Sequence, residues 1–247
     1  MSETLTTAPP HPLREVWTVY FAITLGTVGI TQLGERVSWL SDFVHVFVAA
    51  LFLACALGLA RREPNGATRY GIDLGGLLEP RDGESLLQSI KRGLPSAARE
   101  TAVAIALAAL IFPPFTAAFY FWWTPPHAFT WQLSDDFGSF VLAQIIVVGL
   151  PEEALFRGAL QTRLTDAWPR TRRFLGADLS PGAWLLQAAL FGVMHFLVDL
   201  DVQRLAVFFP ALAFAWLRAW RGGIGAAIVF HALCNIYADL LYENWMR

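Results

Sequence analysis

The sequence predicts an all-α fold: a polytopic membrane helix bundle of about seven transmembrane helices, with six and eight as the bounds. Three observations lead there. Of the 247 residues, 55% are apolar or aromatic and only 15% are charged, whereas a soluble domain carries about 25% charged residues. The apolar residues gather into stretches near the length of about 20 residues that a helix needs to cross about 30 Å of hydrocarbon. Ten tryptophans suit aromatic belts at the two membrane interfaces.

In order along the chain, residues 1–15 contain Pro9, Pro10 and Pro12 and little apolar content, which reads as a disordered cytoplasmic tail. Residues 16–247 form one transmembrane domain. The expected spans are 16–33, 43–60, 101–121, 138–160, 183–200, 205–220 and 223–242. The sixth is short enough to be re-entrant, and the amphipathic stretch Ser85–Ile90 is suited to the membrane surface, hence the bounds. Lys and Arg alternate between the connections, fourteen on one side against three on the other when Arg218, at the end of the sixth span, is counted with the connection that follows it, and Arg157 is left inside a span. That bias puts the N-terminus in the cytoplasm of a multi-pass protein of the plasma or inner membrane. A net charge of −2 leaves no basic excess to hold nucleic acid. Cys55 and Cys234 lie in apolar runs and fit neither a disulfide framework nor a zinc site.

An ionisable side chain inside a span costs several kcal/mol unless it faces a cavity and has a partner, so each is a functional candidate. The fourth span holds Pro151-Glu152-Glu153-Ala154-Leu155-Phe156-Arg157, the fifth Phe191-Gly192-Val193-Met194-His195, and the seventh His231-Ala232-Leu233-Cys234-Asn235. Glu153 and Arg157 are i, i+4 neighbours on one face, while Glu152 points about 100° away. The guanidinium can neutralise one carboxylate and leave the other to act as a base. His231 and Asn235, also i, i+4, offer a donor pair for a developing oxyanion. His195 can hold a water. Pro151 and Gly149 are expected to open the helix beside the acid pair.

These motifs resemble those of the CPBP family of intramembrane proteases, which includes the CAAX prenyl endopeptidases. The match is to Glu-Glu-x-x-x-Arg at Glu152, Glu153 and Arg157, Phe-x-x-x-His at Phe191 and His195, and His-x-x-x-Asn at His231 and Asn235, within a motif-bearing core at 138–242. The resemblance implies a glutamic-type endopeptidase: Glu152 with His195 activates water, His231 and Asn235 hold the oxyanion, and Glu153 and Arg157 support them. Its substrate is then a membrane-anchored protein with a C-terminal tail, met among membrane lipid. One bacterial branch, the myxosortases, is similar in setting. Zinc on the two histidines and a glutamate is the competing chemistry. A metal-free site is expected, because no His-Glu-x-x-His helix is present and Asn is a poor zinc ligand but a good oxyanion donor. Two other readings stand against the enzyme: a catalytically silent scaffold or immunity protein packed through the same polar groups, and a proton-coupled transporter, which the absence of an inverted repeat disfavours.

Overall fold

The computed structural model describes residues 11–247. Its helices cross one another in an up-and-down bundle. α1 spans Pro12–Gly34, α2 Val44–Ala60, α3 Leu86–Trp123, and α4 runs as one composite helix over Phe137–Ala167. α5 spans Pro181–Asp199; a 3₁₀ stretch, Val202–Val207, leads into α6, Phe208–Arg221; α7 spans Gly225–Met246. Six of these seven, the sixth counted from Val202, are long and apolar enough to cross a membrane, and α2 is a shorter apolar helix of 17 residues, about 26 Å long. The chain is an all-α, multi-pass membrane bundle.

Several expected boundaries move. α1 begins at Pro12, inside the stretch expected to be a tail, because proline without an N–H is tolerated at the first helical position. The part of that tail before His11 lies outside the described residues. The third span is only the C-terminal portion of α3, which starts at Leu86 and reaches 38 residues. Ser85–Ile90 is therefore not a separate surface segment. It is the start of this long helix, fixed by a capping box in which Ser85 accepts from the Gln88 amide and the Gln88 side chain accepts from the Ser85 amide. Lys91, Arg92, Arg99 and Glu100 lie on the turns that precede the apolar run. The sixth segment, counted from Val202 so as to include the 3₁₀ stretch, is long and apolar enough to cross a membrane. The connection before α5 also carries a small antiparallel hairpin, β1 (Arg172–Phe174) with β2 (Ala177–Leu179).

Large apolar side chains such as Phe21, Leu25, Leu110, Phe121, Ile146 and Phe209 are exposed, as a lipid-facing surface requires and a soluble monomer avoids. The interior has two apolar clusters. Tyr20 and Ile23 of α1, Phe52 of α2, Phe156 of α4 and Phe191 of α5 form the first. Ala104 and Ala108 of α3, Phe214 of α6 and Phe230 of α7 form the second. α4 packs on α2 with one side and on α7 with the other.

The two ends of the bundle differ. At one end Arg163, almost fully buried, pairs with Glu15 at 2.8 Å and with Glu63 and Asp166, and Arg69 pairs with Glu63 and, at 2.7 Å, with Asp166. This cluster ties α1, the α2–α3 connection and the end of α4 together. At the other end the α3–α4 connection is held to α7 by Asn244, whose carbonyl accepts from the Thr130 amide at 3.0 Å and whose side-chain oxygen accepts from the Gln132 amide. The tryptophans divide evenly, with Trp17, Trp168, Trp184, Trp216 and Trp220 at the first end and Trp39, Trp122, Trp123, Trp131 and Trp245 at the second, two belts as expected.

Candidate active site

α4 is irregular where it carries the acidic pair. Gln144–Gly149 and Ala154–Leu160 are wide, π-type turns that flank a short α-helical piece, Leu150–Glu153. Pro151 cannot donate to the residue one turn back, and a spanning helix accommodates such a break by local widening. Gly149 lets α4 approach α7 here: a Cβ on it would stand 3.2 Å from the Ile228 carbonyl oxygen and 3.0 Å from that of Gln144.

Glu153 and Arg157 lie on one face, as their spacing predicts, and neither is exposed at all. Arg157 Nη1 donates to Glu153 Oε1 at 2.9 Å. The guanidinium also lies over the rings of Phe191 at 4.3 Å and Phe214 at 4.9 Å, where the negative ring faces partly replace lost water. The same Glu153 oxygen lies 2.8 Å from His231 Nδ1. A carboxylate can only accept, so Nδ1 carries the proton. Phe214 stacks on the imidazole at 4.7 Å and fixes its plane. His231 Nε2 then points toward Glu152, 3.8 Å from Oε2. That separation is too long for a direct hydrogen bond but allows one water to contact both atoms. Glu152 Oε2 is buried and has no hydrogen-bond partner.

His195 Nδ1 is 2.9 Å from the Phe191 carbonyl one turn back on α5. A carbonyl accepts, so this contact protonates Nδ1 and leaves Nε2 as the free position. Asn235 Nδ2 donates to Gln144 Oε1 at 2.8 Å, which ties the Asn of α7 to the first wide turn of α4. Glu152, His195, His231 and Asn235 all line one cavity of about 720 Å³. Glu153 and Arg157 lie behind it. Other polar residues of the cavity were not singled out in the sequence. Gln144 orients Asn235. His45 of α2 and Asp239 of α7 are also part of the wall. Among the described residues no group of three or more His, Cys, Asp or Glu side chains is disposed to hold a metal ion.

Glu152, His195, His231 and Asn235 thus face one cavity within a membrane helix bundle, with the unexposed Glu153–Arg157 pair behind it. Residues 135–237, from just before α4 into α7, match the model of the Rce1-like family, type II CAAX prenyl endopeptidases. Over this site-bearing segment the chain is similar to the type II CAAX prenyl endopeptidases. No curated protein matches the chain, and no solved structure does.

Proposed function

We propose that the chain is an intramembrane endopeptidase that hydrolyses a peptide bond near the C-terminus of a membrane-anchored protein in the plasma or inner membrane. The observation that carries this reading is Glu152 Oε2, buried and without a hydrogen-bond partner, 3.8 Å from an imidazole nitrogen of the ring that Glu153, itself paired with Arg157, holds in place. A base without a partner is poised to take a proton from water, and a structural ion pair has no use for one.

In this mechanism a water contacts Glu152 and the free Nε2 of His195. Glu152 takes its proton as the oxygen attacks the scissile carbonyl. The oxyanion receives the second N–H of Asn235, whose first is used by Gln144, and an N–H from His231 Nε2. With both imidazole nitrogens protonated, the charges of Glu152, Glu153, Arg157 and His231 sum to zero, so Glu153 makes the oxyanion donor electrostatically tolerable. The proton on Glu152 then passes to the leaving amine. No cofactor takes part.

The test is cleavage of tail-bearing substrate in detergent. Glu152→Gln should fold and lose activity by roughly 10²–10⁴-fold, as expected for a general base. Full activity in that variant removes Glu152 as the base, and no cleavage by the wild-type chain sinks the peptidase reading and leaves the silent scaffold. Chelators should leave cleavage unchanged; loss of activity together with one tightly bound zinc per chain replaces the Glu152–His195 mechanism by metal activation of water.

A further inference from the structure

The cavity that holds Glu152 is walled by one end of every helix it touches. Trp123 ends α3, Asp199 ends α5 and Tyr242 belongs to the last turns of α7, while His45 begins α2 and Phe140 begins α4. In an up-and-down bundle, the ends of odd-numbered helices and the starts of even-numbered ones lie on the same side. The cavity therefore opens at the end tied by Asn244 and is absent from the end that carries the Arg163 cluster. A second, smaller cavity of about 250 Å³ lies at the Arg163 end and is lined by Arg69, Arg157 and Arg218. Arg157 lines that one and not the first, Glu152 and His231 line the first and not the second, and the unexposed Glu153–Arg157 pair separates them.

The two ends differ sharply in charge. Fourteen Lys and Arg fall on the Arg163 end: Arg14, seven between Arg61 and Arg99, four between Arg163 and Arg173, and Arg218 with Arg221. Only Arg36, Arg204 and Arg247 fall on the open end. Basic residues near span ends are retained in the cytoplasm. We infer that the site is entered from the non-cytoplasmic side of the membrane, and that its substrate is a membrane-anchored protein presenting an extended segment on that side. The segment must be extended because Asn235 lies 11 residues before the end of α7 at Met246, about 16 Å of helix rise. A strand advances about 3.3 Å per residue, so about five residues of unfolded chain must enter before the scissile bond meets Glu152. Phe119, Trp123 and Val147 in the wall favour apolar side chains in that segment. The substrate side rests on the peptidase reading, but the sidedness of the cavity does not.

Thiol labelling tests sidedness without any need for catalysis. In a Cys55→Ala/Cys234→Ala background, single cysteines replace Trp131 and Asp239 at the open end and Arg172 and Asp178 at the Arg163 end, all four exposed. Right-side-out and inside-out membrane vesicles are treated with a small, membrane-impermeant thiol reagent. Trp131→Cys and Asp239→Cys should react at least about tenfold faster in right-side-out vesicles, and Arg172→Cys and Asp178→Cys at least about tenfold faster in inside-out ones, since access governs the rate for comparable thiols. The reverse pattern overturns the inference, as does equal labelling from both sides. Labelling of Trp131→Cys with Asp239→Cys silent from the outside also overturns it, because the loop is then outside but the cavity closed to it. Repeating the labelling with Glu152→Gln separates the two questions. A chain with no peptidase activity still reports which face the cavity opens to, and a reversed orientation leaves the peptidase reading standing.

Discussion

Glu153 is the hinge of the site because a single carboxylate oxygen serves both Arg157 and His231. Removing Arg157 leaves a buried carboxylate with only an imidazole to balance it, and breaking a buried ion pair typically costs about 3–5 kcal/mol. Arg157→Ala should therefore unfold at lower temperature in detergent and lose activity, and Arg157→Lys should recover part of the charge balance but not the stacking of a planar guanidinium on Phe191 and Phe214. Normal accumulation and full activity of Arg157→Ala count against this pairing role. A different signature is expected on the amide side. Asn235→Ala should lower kcat by roughly 10²–10³-fold with KM little changed, as for an oxyanion donor. Gln144→Ala, which only orients that amide, should lower kcat less than Asn235→Ala does and leave the fold intact. Equal losses make Gln144 part of the chemistry. The ionisable members of this cluster were legible in the sequence because charge inside an apolar run is conspicuous and i, i+4 spacing assigns a face. Gln144 was not singled out, being uncharged and eight residues from Glu152, although it is the one polar side chain between Ser139 and Glu152, and that is the signal that could have found it.

At the scale of the element, α4 does the positioning, and it does so by being irregular. Two wide turns on either side of Pro151 bring Gln144, Glu152 and Glu153 to bear on α7 at once, which a regular helix period could not be read to give. Proline and glycine in the sequence announced a break, but whether a break becomes a kink or a pair of wide turns depends on what packs beside it. Here that neighbour is the backbone of α7, close enough at Ile228 to leave no room for a side chain on Gly149. Gly149→Ala should push the two helices apart by a few tenths of an ångström at the level of the Gln144–Asn235 bond. Overpacking of this kind costs about 1–3 kcal/mol, and activity should fall by more than the loss of folded protein explains. Circular dichroism melts alongside specific activity check this. A variant that melts lower but keeps its full specific activity shows that the approach of α4 to α7 serves stability alone. Element ends were less legible than element existence. α3 was read short because its first turns are polar, yet a capping box and continuous hydrogen bonding carry the helix on well outside the expected span.

At the scale of the whole molecule, the end of the bundle opposite the cavity is closed by charge, and this closure was invisible in the sequence because its members come from segments read as a tail, a loop and a connection: Glu15, Glu63, Arg69, Arg163 and Asp166. Only the fold brings them together. Glu63 is the member outside the spans whose titration shows how the closure responds to pH. Burial pushes its carboxyl up, but Arg69 and Arg163 against it outweigh burial and hold it below its ordinary value of 4.5. A carboxylate with a depressed folded-state value binds fewer protons folded than unfolded, so stability rises with pH across the interval between the two values. Its contribution is therefore fully present above about pH 4.5 and is lost as the pH falls through the depressed value. Glu63→Gln removes both the charge and this dependence. At neutral pH the variant should be destabilised by about 1.5–3 kcal/mol, the usual worth of hydrogen bonds to charged groups, with Arg163 still held by Glu15 and Asp166. The difference in unfolding temperature between wild type and Glu63→Gln in detergent should be constant from about pH 7 to pH 5 and shrink below about pH 4.5. A difference that grows as the pH falls, or that is absent at neutral pH, removes Glu63 from the set of interactions that hold this end closed.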